Sequence, residues 1–408
     1  MHILFLTDNF PPETNAPASR TYEHARRWVE LGHAVTVLTG APNFPSGRVH
    51  PGYRNALWKR EVLDGIQVVR VWTYITANEG VFRRSLDYLS FMVSAILASP
   101  FLARPDIIVA TSPQFFTPCA AWIVSLLRRR PFVFELRDLW PDSIVAVGAV
   151  RESALIRALR KVEYFLYRRA RRIVCVTQSF RRILEANGID FAKIAVVPNG
   201  VDLQTYRPGS KPLDLEKQLG VERKFVAAYV GTIGMAHGLG TVLEAAARLK
   251  PRQDIVFLLV GTGAEQSALM QRCVDERLEN VRFVGAVSKE LVREYWKLCD
   301  VALVLLRDSP LFAHVIPSKM FEAMGMERPI ILGLRGESRE ILEIAGAGIA
   351  ISPQSSPELA EAILRLADDP AMRQRLGLSG RSFAAREYDR ARLAERMLDV
   401  LSSATDPP

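Results

Sequence analysis

The feature that most constrains this fold is the alternation of short apolar β runs with helical stretches along nearly the whole chain. The first series of β runs extends from residues 2–6 to residues 194–198, and the second from residues 225–231 to residues 348–351. Such alternation predicts parallel sheets covered by helices. A chain of 408 residues is too long for one average domain. We therefore predict an α/β protein with two Rossmann-like, doubly wound domains that face each other across a cleft.

The join between the two domains lies near residues 199–211, where Gly and Pro recur and regular periodicity lapses. We predict an N-terminal domain at residues 1–205 and a C-terminal domain at residues 206–385. Residues 386–408 contain a final charged amphipathic helix that we expect to return to the N-terminal domain.

The net charge of +9 is concentrated in one segment, from Arg151 to Arg172, which has eight basic and two acidic residues. Leu155, Leu159, Val162, Leu166 and Ile173 recur there at helical spacing. A basic amphipathic helix can lie on an anionic membrane surface, and the alternative is a core-packed helix with a solvated charged face. The apolar run at residues 89–103 is too short to span a bilayer, and we interpret it as a buried helix.

Several classes of protein are disfavoured by the composition. The N-terminus lacks the basic start of a secretory signal, and no uninterrupted apolar run reaches about 18 residues. The four cysteines are too scattered for a disulfide framework or a zinc site. No nucleic-acid motif accompanies the basic segment, so we expect no nucleic-acid partner. These features predict a cytoplasmic protein, peripheral on the inner face of the plasma membrane.

Glycine-rich turns follow the β runs of the second series. Gly231, Thr232, Gly234 and His237 follow the first run, and Gly261 and Val284 belong to the next two turns. Ligands of open parallel sheets bind beyond the carboxyl ends of the strands, where small residues and helix N-termini accommodate phosphates. Such turns are also often purely structural, so this signal is weak alone.

The most informative stretch is residues 316–325, in which Pro317 and Ser318 begin a helix. Lys319 then stands near the helix N-terminus, where a cation is disfavoured unless an anion is present. Glu322 follows one turn later. A nucleoside diphosphate requires a cation such as lysine to bind its pyrophosphate and a carboxylate to accept hydrogen bonds from its ribose hydroxyls. Alternatively, Glu322 complements the helix dipole and Lys319 is solvated.

In the first domain, Arg137 and Asp138 directly follow a β run at residues 132–136. Charged residues directly after an apolar strand are placed for a cleft rather than for the core. Asp138 is the leading candidate for a functional carboxylate there. A helix cap or an ion pair to Arg137 is the alternative. No separated Asp-x-Asp pair stands where it could bind a metal, so we expect neither metal nor other cofactor, and cationic groups and backbone N–H groups would neutralise a diphosphate.

At these residues the chain resembles the family-4 group of GT-B glycosyltransferases over nearly its whole length. The resemblance rests on the glycine loop at residues 231–240, on Pro-Asn-Gly-Val-Asp at residues 198–202 and on Phe-Glu-Ala-Met at residues 321–324. Within that group, Pro-Pro-Glu at residues 11–13 and the stretches at residues 137–141 and 317–319 look like bacterial enzymes that build O-antigen, capsule or exopolysaccharide. Some of those are aminosugar or fucosamine transferases.

The resemblance implies roles for individual residues. Glu322 matches the second Glu of the family's Glu-x7-Glu motif, whereas His314 stands where the first Glu is expected. Thr232 and His237 replace the phosphate-binding Arg and Lys, and Arg137 replaces a His of the catalytic region. We accordingly assign Asp138, His314 and Arg137 to catalysis. The donor group comprises Gly231, Thr232, Gly234, His237, Gly261, Val284, Ser318, Lys319 and Glu322. Glu13, Asn15 and Arg20 form the acceptor-side loop.

The implied reaction is attack of an acceptor hydroxyl on the anomeric carbon of a nucleotide sugar, with retention of configuration. The donor is expected to be UDP-linked, with a sugar such as an N-acetylated aminosugar. The acceptor is expected to be a polyprenyl-diphosphate-linked glycan. Two alternatives stay open: a nucleotide-sugar 2-epimerase, and a non-catalytic sugar- or membrane-binding module.

Overall fold

The computed structural model describes residues 1–13, 15–44, 46–76, 81–142, 145 and 150–405. It divides the chain into two compact units, one of Met1–Asn199 with Arg390–Pro408 and one of Gly200–Asp389. These boundaries differ by a few residues from the sequence-based ones at 205/206 and 385/386. Residues 406–408, the end of the predicted C-terminal segment, lie outside the described residues.

Unit 1 is built around one eight-stranded sheet with the strand order β3-β4-β2-β1-β5-β6-β7-β8. All neighbouring strands are parallel except the β3–β4 pair at the edge. Its elements before the domain join are β1 His2–Leu6, α1 Ala16–Glu30, β2 Ala34–Thr39, β3 Trp58–Leu63, β4 Ile66–Val71, α2 Val81–Ala98, β5 Ile107–Thr111, α3 Phe116–Arg128, β6 Phe132–Leu136, α4 Ala154–Arg169, β7 Arg172–Cys175, α5 Gln178–Ala186 and β8 Ile194–Val196.

Unit 2 is built around a six-stranded, fully parallel sheet with the order β11-β10-β9-β12-β13-β14. Counted within the unit, this is the 3-2-1-4-5-6 order of a Rossmann sheet. Its elements are α6 Leu213–Leu219, β9 Phe225–Val230, α7 Gly240–Arg248, β10 Ile255–Val260, α8 Gln266–Asp275, β11 Val281–Gly285, α9 Lys289–Leu298, β12 Val301–Leu305, α10 Ser318–Gly325, β13 Ile330–Gly333, α11 Glu337–Ala345, β14 Gly348–Ala350, α12 Ser356–Asp368 and α13 Pro370–Glu387.

The last helix, α14 (Arg390–Thr405), packs on α1 within unit 1. Leu393, Met397 and Leu401 are buried in the core that also contains Trp28 of α1. The Trp28 indole donates to the Ala394 carbonyl at 2.8 Å. The C-terminal helix therefore completes one apolar face of the first sheet, while α2, α3 and α4 cover the opposite core.

The predicted α/β fold with two parallel sheets is confirmed, and most predicted strands lie within two residues of the observed ones. Strand β3 was missed, because its residues Trp58–Leu63 form a half-exposed antiparallel edge with three charged side chains. Helix α14 begins at Arg390 rather than at 386, because α13 continues to Glu387.

One expectation about a helix face was wrong. The apolar run at residues 89–103 is mostly α2, but Val93 and Leu97 are exposed rather than buried.

In α4 the apolar stripe identified in the sequence is divided between two faces. Leu166 is buried together with Ile156, Glu163 and Tyr167, whereas Leu155 and Val162 are exposed beside the cations. The helix therefore packs on the core through a face that is displaced from the stripe, which periodicity alone does not distinguish.

Candidate active site

The glycine turns of unit 2 stack on one another at the carboxyl ends of β9, β10 and β11. The Gly231 N–H donates to the Val260 carbonyl, and the Gly261 N–H donates to the Gly285 carbonyl, both at 2.9 Å. Gly261 has φ +135°, and a Cβ there would lie 1.9 Å from the Gly231 oxygen. The glycines are therefore required first by backbone-to-backbone packing, since no side chain fits between the turns.

This packing determines which amides of the first turn can bind a ligand. The N–H groups of Gly231 and Ile233 already donate to carbonyls, Ile233 to Thr262 at 2.9 Å. Thr232 and Gly234 have no such hydrogen bond from their N–H groups among the described residues. The amides of this loop that remain available to a ligand are therefore those of Thr232 and Gly234, not that of Gly231 itself.

Lys319 lies in the first turn of α10 and points at this loop. Its Nζ is buried, has no hydrogen-bond partner among the described residues and lies 3.7 Å from the centre of the Tyr229 ring. A Cβ on Gly231 would lie 2.8 Å from the same atom. Burial lowers the pKa of Lys319 to about 7, although the charge of Glu322 opposes the shift. A buried ammonium without a partner is costly, which marks this atom as the place for an anion.

His237 lies beside the same ring, in a short 3₁₀ helix at Met235–His237. Its ring is edge-on to Tyr229 at a centroid distance of 5.7 Å, and its Nδ1 is buried without a hydrogen-bond partner in the described part of the chain. Burial and the nearby Lys319 charge lower the pKa of His237 to about 4. The imidazole is therefore neutral at physiological pH and cannot replace a cation for phosphate binding.

Glu322 lies one turn after Lys319 and is partly buried. Its Oε2 accepts a hydrogen bond from the buried indole of Trp296 at 3.2 Å. The other oxygen, Oε1, has no hydrogen-bond partner among the residues that the structure describes. Trp296 thus holds one oxygen of the carboxylate, and the second oxygen can accept hydrogen bonds from a ligand.

The remaining residues that the sequence predicted to bind the donor make fewer contacts with Lys319 and the glycine turns. Ser318 begins α10 behind Pro317, and Val284 lies in β11, one residue before the strand ends at Gly285. His314 ends a 3₁₀ helix at Pro310–His314, and its side chain makes no hydrogen bond to another described residue. Sequence reasoning missed Tyr229 and Trp296, since a buried aromatic in a β run or helix carries no signal of its partner.

In unit 1, Arg137 and Asp138 follow β6, as predicted, and their backbone is held by Ser112. The Ser112 hydroxyl oxygen accepts from the Arg137 N–H at 2.7 Å and from the Asp138 N–H at 3.2 Å. The Nη1 of Arg137 is buried without a hydrogen-bond partner in the described chain. Burial lowers the pKa of Arg137 to about 10 despite the neighbouring Glu135, so the guanidinium stays charged at neutral pH.

Glu13 and Arg20, both assigned to the acceptor-side loop, bond to the protein itself. Glu13 accepts from the N–H groups of Asn43 and Phe44 at 2.9 and 2.8 Å, and from that of Phe10 at 3.1 Å. Arg20 donates to Glu135 at 2.9 Å and to the Val197 carbonyl at 2.9 Å. The structure thus gives Glu13 the role of holding the turn at residues 43–44, and Arg20 the role of holding the chain after β8.

Asn15 lines a cavity of about 220 Å³ together with residues that follow β1 and β5. Its Oδ1 caps α1 through the Ala18 N–H, and its Nδ2 donates to Asn9. Asp138 and Arg137 are not among the described residues that line this cavity. Sequence reasoning missed Asp8, Asp87 and Ser112, which line it, because they follow or lie in separate elements that are 25 to 104 residues apart in the chain.

No group of His, Cys, Asp and Glu side chains suited to hold a metal ion occurs among the described residues. No described helix is long and apolar enough to cross a bilayer. The four cysteines are free thiols, two of them buried.

Two Rossmann-like units with parallel sheets are the architecture of the GT-B fold, and the second unit has a glycine turn and a buried lysine at the switch point of its sheet. Residues 15–200 match the glycosyl transferase 4-like domain, and residues 224–369 match the glycosyl transferases of group 1. These two domain models together span most of the chain, which is a glycosyltransferase with the GT-B fold.

Individual relatives agree with this assignment. WcaI of Escherichia coli (strain K12), named as a colanic acid biosynthesis glycosyl transferase, is 25% identical over 98% of this chain and 97% of its own length. The alpha-D-kanosaminyltransferase of Streptomyces kanamyceticus is 25% identical over 46% of this chain and 48% of its own.

Solved structures share the fold. Anabaena HepE in complex with UDP and glucose matches with a TM-score of 0.72 at 20% identity, covering 98% of this chain and 99% of that one. WaaG, a glycosyltransferase involved in lipopolysaccharide biosynthesis, matches with a TM-score of 0.68 at 16% identity, covering 98% and 99% of the two chains.

Proposed function

We propose that this glycosyltransferase moves a sugar, with retention of configuration, from a UDP-linked donor to a lipid-linked saccharide in bacterial surface polysaccharide synthesis. An N-acetylated aminosugar is the proposed donor sugar. The named role of WcaI in colanic acid biosynthesis and the UDP complex of HepE support the polymer class and the nucleotide. The kanosaminyltransferase match supports an aminosugar.

The observation that carries the proposal is the buried Nζ of Lys319 beside the glycine turn at residues 231–234. In the Rossmann strand order, ligands bind where the order reverses, between β9 and β12. Lys319 and the free amides of Thr232 and Gly234 therefore form a site for a diphosphate. We propose that this cationic site neutralises the diphosphate without a divalent metal.

The same groups explain the chemical step that we propose. The bond between the anomeric carbon and the diphosphate oxygen breaks, and the acceptor oxygen forms a new bond on the same face of the sugar. The acceptor proton passes to the departing phosphate oxygen. Lys319 and the two amides stabilise the charge that develops on the leaving diphosphate, and one such donor contributes roughly 3 kcal/mol to a barrier. Glu322 binds the ribose hydroxyls through its Oε1, while Asp138, Arg137 and His314 act on the acceptor and the transferred sugar.

The donor site is tested by thermal shift with a panel of UDP-, GDP- and TDP-sugars, with and without EDTA. A ligand that binds only the folded state adds RT ln(1 + [L]/Kd), about 2.7 kcal/mol at a hundredfold excess. We expect a shift with UDP-sugars that EDTA leaves unchanged and that Lys319→Ala and Glu322→Gln abolish. Lys250→Ala, which removes a surface cation bonded to the Glu276 carbonyl, is the control and should keep the shift. A full shift in Lys319→Ala would show that the diphosphate lies elsewhere.

The lipid-linked acceptor is supported by an apolar stripe on unit 1, defined here as Leu86, Leu89, Val93 and Leu97 of α2 with Phe101 after it. These side chains recur at helical spacing and are exposed, Leu97 at 67% and Phe101 at 73%. Exposed apolar patches of this kind mark interaction sites rather than ordinary surface.

Cations surround this apolar stripe. Arg83 and Arg104 are exposed near its two ends, and Arg128 of α3 donates to the carbonyls of Pro100 and Leu102 at 3.3 and 2.9 Å. Leu126 and Leu127 at the end of α3 add further exposed apolar area. Apolar side chains bordered by arginines fit the boundary between anionic headgroups and acyl chains.

The segment from Arg151 to Arg172 lies on the same side of the sheet. Helix α4 contacts α3, and Trp122 packs edge-on against Phe165 at 5.0 Å. Leu155 and Val162 are exposed beside Arg157, Lys161 and Arg168. We propose that the α2 stripe and the α4 cations together dock the protein on the inner face of the plasma membrane, where a polyprenyl-diphosphate-linked glycan would be presented.

Sedimentation with vesicles of phosphatidylcholine, with or without phosphatidylglycerol, tests this docking. We expect binding only to the anionic vesicles, with loss of binding in Leu97→Asp/Phe101→Asp and a partial loss in Arg168→Glu/Arg169→Glu. The control is Val274→Asp/Leu213→Asp, which places the same charges on two exposed apolar positions of unit 2. Wild-type sedimentation by the stripe variant would refute docking through α2.

The two alternative functions predict different products from the same donor. A 2-epimerase would invert C2 of a UDP-sugar in the absence of an acceptor, which proton NMR detects directly. A non-catalytic module would bind without turnover, even with lipid-linked acceptors. Release of UDP that depends on an added acceptor supports the transferase and excludes both alternatives.

A further inference from the structure

A basic groove with a volume of about 950 Å³ lies on unit 1, at the end of the sheet opposite to Arg137 and Asp138. Its lining residues belong to α3, to the end of α4 and to the segments at the amino ends of β6, β7 and β8. Each strand residue adds about 3.3 Å, so the five residues of β6 separate the groove by roughly 16 Å from Arg137. The groove is therefore distinct from the strand ends at which the substrates are proposed to bind.

The lining of the basic groove is strongly cationic. Five basic side chains and one carboxylate, that of Asp190, are among the described residues that line it. The basic residues are Arg130, Arg169, Arg171, Arg172 and Lys193. Asp190 caps the short 3₁₀ helix at Phe191–Lys193 by accepting from the Ala192 N–H at 2.9 Å. Positive charge concentrated in a concave surface attracts an anionic ligand.

Three of these cations are held by uncharged groups. Arg172 and Lys193 donate to backbone carbonyls, Lys193 to that of Arg168 at 2.8 Å. The Arg169 guanidinium lies 5.2 Å from the centre of the Phe165 ring. Carbonyls and rings fix a side chain without cancelling its charge, and no described carboxylate forms an ion pair with these three residues. The cations are therefore positioned in advance for an anion.

Arg130 is a second, independent indication of a ligand. Its Nε is buried and has no hydrogen-bond partner among the described residues, although buried donors are nearly always paired. A phosphate can accept from the Nε and a neighbouring Nη of one guanidinium at the same time, and this forked geometry makes arginine a preferred ligand of phosphate. Because Arg130 also lines the groove, a phosphate bound there would supply the missing partner.

Two exposed apolar side chains accompany the groove. Leu126 lines it and is 60% exposed, and Phe191, between the lining residues Asp190 and Ala192, is 63% exposed. The Arg181 guanidinium lies 3.9 Å from the centre of the Phe191 ring. A soluble phosphorylated ligand needs no apolar border of this kind, whereas a phospholipid carries acyl chains beside its phosphate.

The groove is also continuous with the apolar stripe of unit 1. Leu126 lies two residues before Arg128, and the Arg128 guanidinium donates to the carbonyls of Pro100 and Leu102, on either side of Phe101. A membrane surface that contacts the end of the stripe at Phe101 therefore lies close to the side of the groove formed by Leu126.

We propose that the basic groove binds the phosphate of an anionic phospholipid headgroup, with Arg130 and Arg172 as its main ligands. Arg169 and Lys193 balance the remaining negative charge, and the two exposed apolar side chains contact the acyl chains. The inference rests on the proposed membrane docking of unit 1 and adds to it a headgroup site outside the α2 stripe. The forked geometry of arginine selects phosphate, and not negative charge alone.

Sedimentation of the full chain with two kinds of vesicle tests the proposal. One is phosphatidylcholine with phosphatidylglycerol, and the other is phosphatidylcholine with oleic acid, adjusted to the same surface potential. Because the anionic group is a phosphate in one and a carboxylate in the other, the ratio of the two dissociation constants reports recognition of the phosphate. We expect the wild type to bind the phosphatidylglycerol vesicles at least ten times more tightly.

Two groove variants separate the fork from the charge. Arg130→Gln/Arg172→Gln should lower the ratio at least fivefold. Arg130→Lys/Arg172→Lys keeps the charge but loses the fork, and it should lower the ratio at least threefold. The control, Arg157→Gln/Lys161→Gln, removes the same net charge from exposed positions of α4 outside the groove and should keep the wild-type ratio.

Three results would overturn the proposal: equal dissociation constants for the two kinds of vesicle, a ratio that both groove variants leave unchanged, or no binding to either vesicle. If the vesicles bind equally and inorganic phosphate raises the Tm of the wild type but not of the glutamine variant, the groove binds a soluble phosphorylated ligand instead.

The same measurements distinguish failure of the groove from failure of the proposed function. Leu97→Asp/Phe101→Asp should weaken binding to both vesicles and leave their ratio unchanged, because it alters the stripe and not the groove. A thermal shift with UDP-sugars in the same preparation shows whether the glycosyltransferase assignment survives when the groove proposal fails.

Discussion

The Nζ of Lys319 lies 3.7 Å from the centre of the Tyr229 ring and has no other partner among the described residues. The ring face attracts the ammonium, but it replaces only part of the lost hydration. The pKa of Lys319 is therefore lowered from 10.5 to about 7 by burial. The protonated side chain therefore places a positive charge in an unfavourable environment, which the proposed diphosphate would relieve.

The affinity for a UDP-sugar should depend on pH through Lys319. Below pH 7 the ammonium is already protonated and the dissociation constant should be constant. Above pH 7, binding requires uptake of a proton, so the dissociation constant should rise up to tenfold per pH unit. Calorimetry between pH 6 and 8.5 measures this, and two buffers of different ionisation enthalpy reveal the proton taken up. His237 does not interfere, because its pKa of about 4 lies below the range. A flat profile would contradict a charged Lys319 at the diphosphate.

Lys319→Met should stabilise the unliganded protein while it abolishes donor binding. Below pH 7 the folded wild type must bury a charge, so an apolar side chain of similar length is expected to raise the free energy of unfolding by on the order of 2–4 kcal/mol. Between pH 7 and 10.5 the unfolded wild type binds one more proton than the folded state, so wild-type stability rises and the advantage of the variant shrinks. Urea denaturation at pH 6 and pH 10 tests the sign. Destabilisation at pH 6 would show that the ammonium has a stabilising partner.

Gly261→Ala should unfold the donor site, whereas Gly240→Ala should not. The added Cβ at Gly261 meets the Gly231 oxygen at 1.9 Å in a backbone with φ +135°, and we expect a loss of stability of about 3 kcal/mol or more. Gly240 begins α7 and its Cβ would meet only the flexible Arg272 at 3.2 Å. Thermal unfolding and UDP-sugar binding of the pair measure the contrast. Equal behaviour of the two variants would mean that the stacked turns can separate.

Glu163→Gln should remove the loss of stability that the wild type shows as pH rises from 4.5 to about 8. Burial, with repulsion from Asp142 and Asp138, raises the pKa of Glu163 to about 8, against the opposing hydrogen bond from the Tyr167 hydroxyl. The stabilising neutral form is complete below pH 4.5 and is lost as pH rises toward 8, since the folded state then binds more protons than the unfolded state. We expect the variant to match the wild type near pH 4.5 and to exceed it by on the order of 3 kcal/mol at pH 8–9. Urea denaturation at pH 4.5 and at pH 8–9 measures this difference, and Glu152→Gln, at an exposed position, is the control. If the difference in unfolding free energy between the variant and the wild type stayed the same at both pH values, Glu163 would not be neutral in the folded protein.

The fold was predictable because the signal is local. Buried parallel strands such as Phe225–Val230 are continuous apolar runs, and the glycine turns and helix starts after them are marked by residue type. The start of α10 at Ser318 followed from short-range rules, and rules of the same kind account for the cap of α13 by Asp369 through the Met372 N–H at 2.8 Å. The edge strand β3 was missed because its side chains are mostly half-exposed and charged.

Helix faces were less predictable, because periodicity shows that a stripe exists but not which side meets the core. In α2 the exposed Val93 and Leu97 are as apolar as the buried Phe91 and Ala95. In α4 a glutamate, Glu163, lies in the core while Leu155 lies outside. Only packing against the sheet distinguishes these faces.

The sequence by itself determined the two parallel sheets, the glycosyltransferase class and the place of Lys319 and Glu322 in the first turns of a helix, because strands, turns and helix starts are encoded by neighbours in the chain. The tertiary structure alone decided that Tyr229 underlies Lys319, that Trp296 holds Glu322, and that Arg20 and Glu13 bond to the protein itself. It also brought Asp8, Asp87 and Ser112 to one cavity. Burial and charge of a side chain depend on residues distant in sequence, and parallel strand pairing is what brings those residues together.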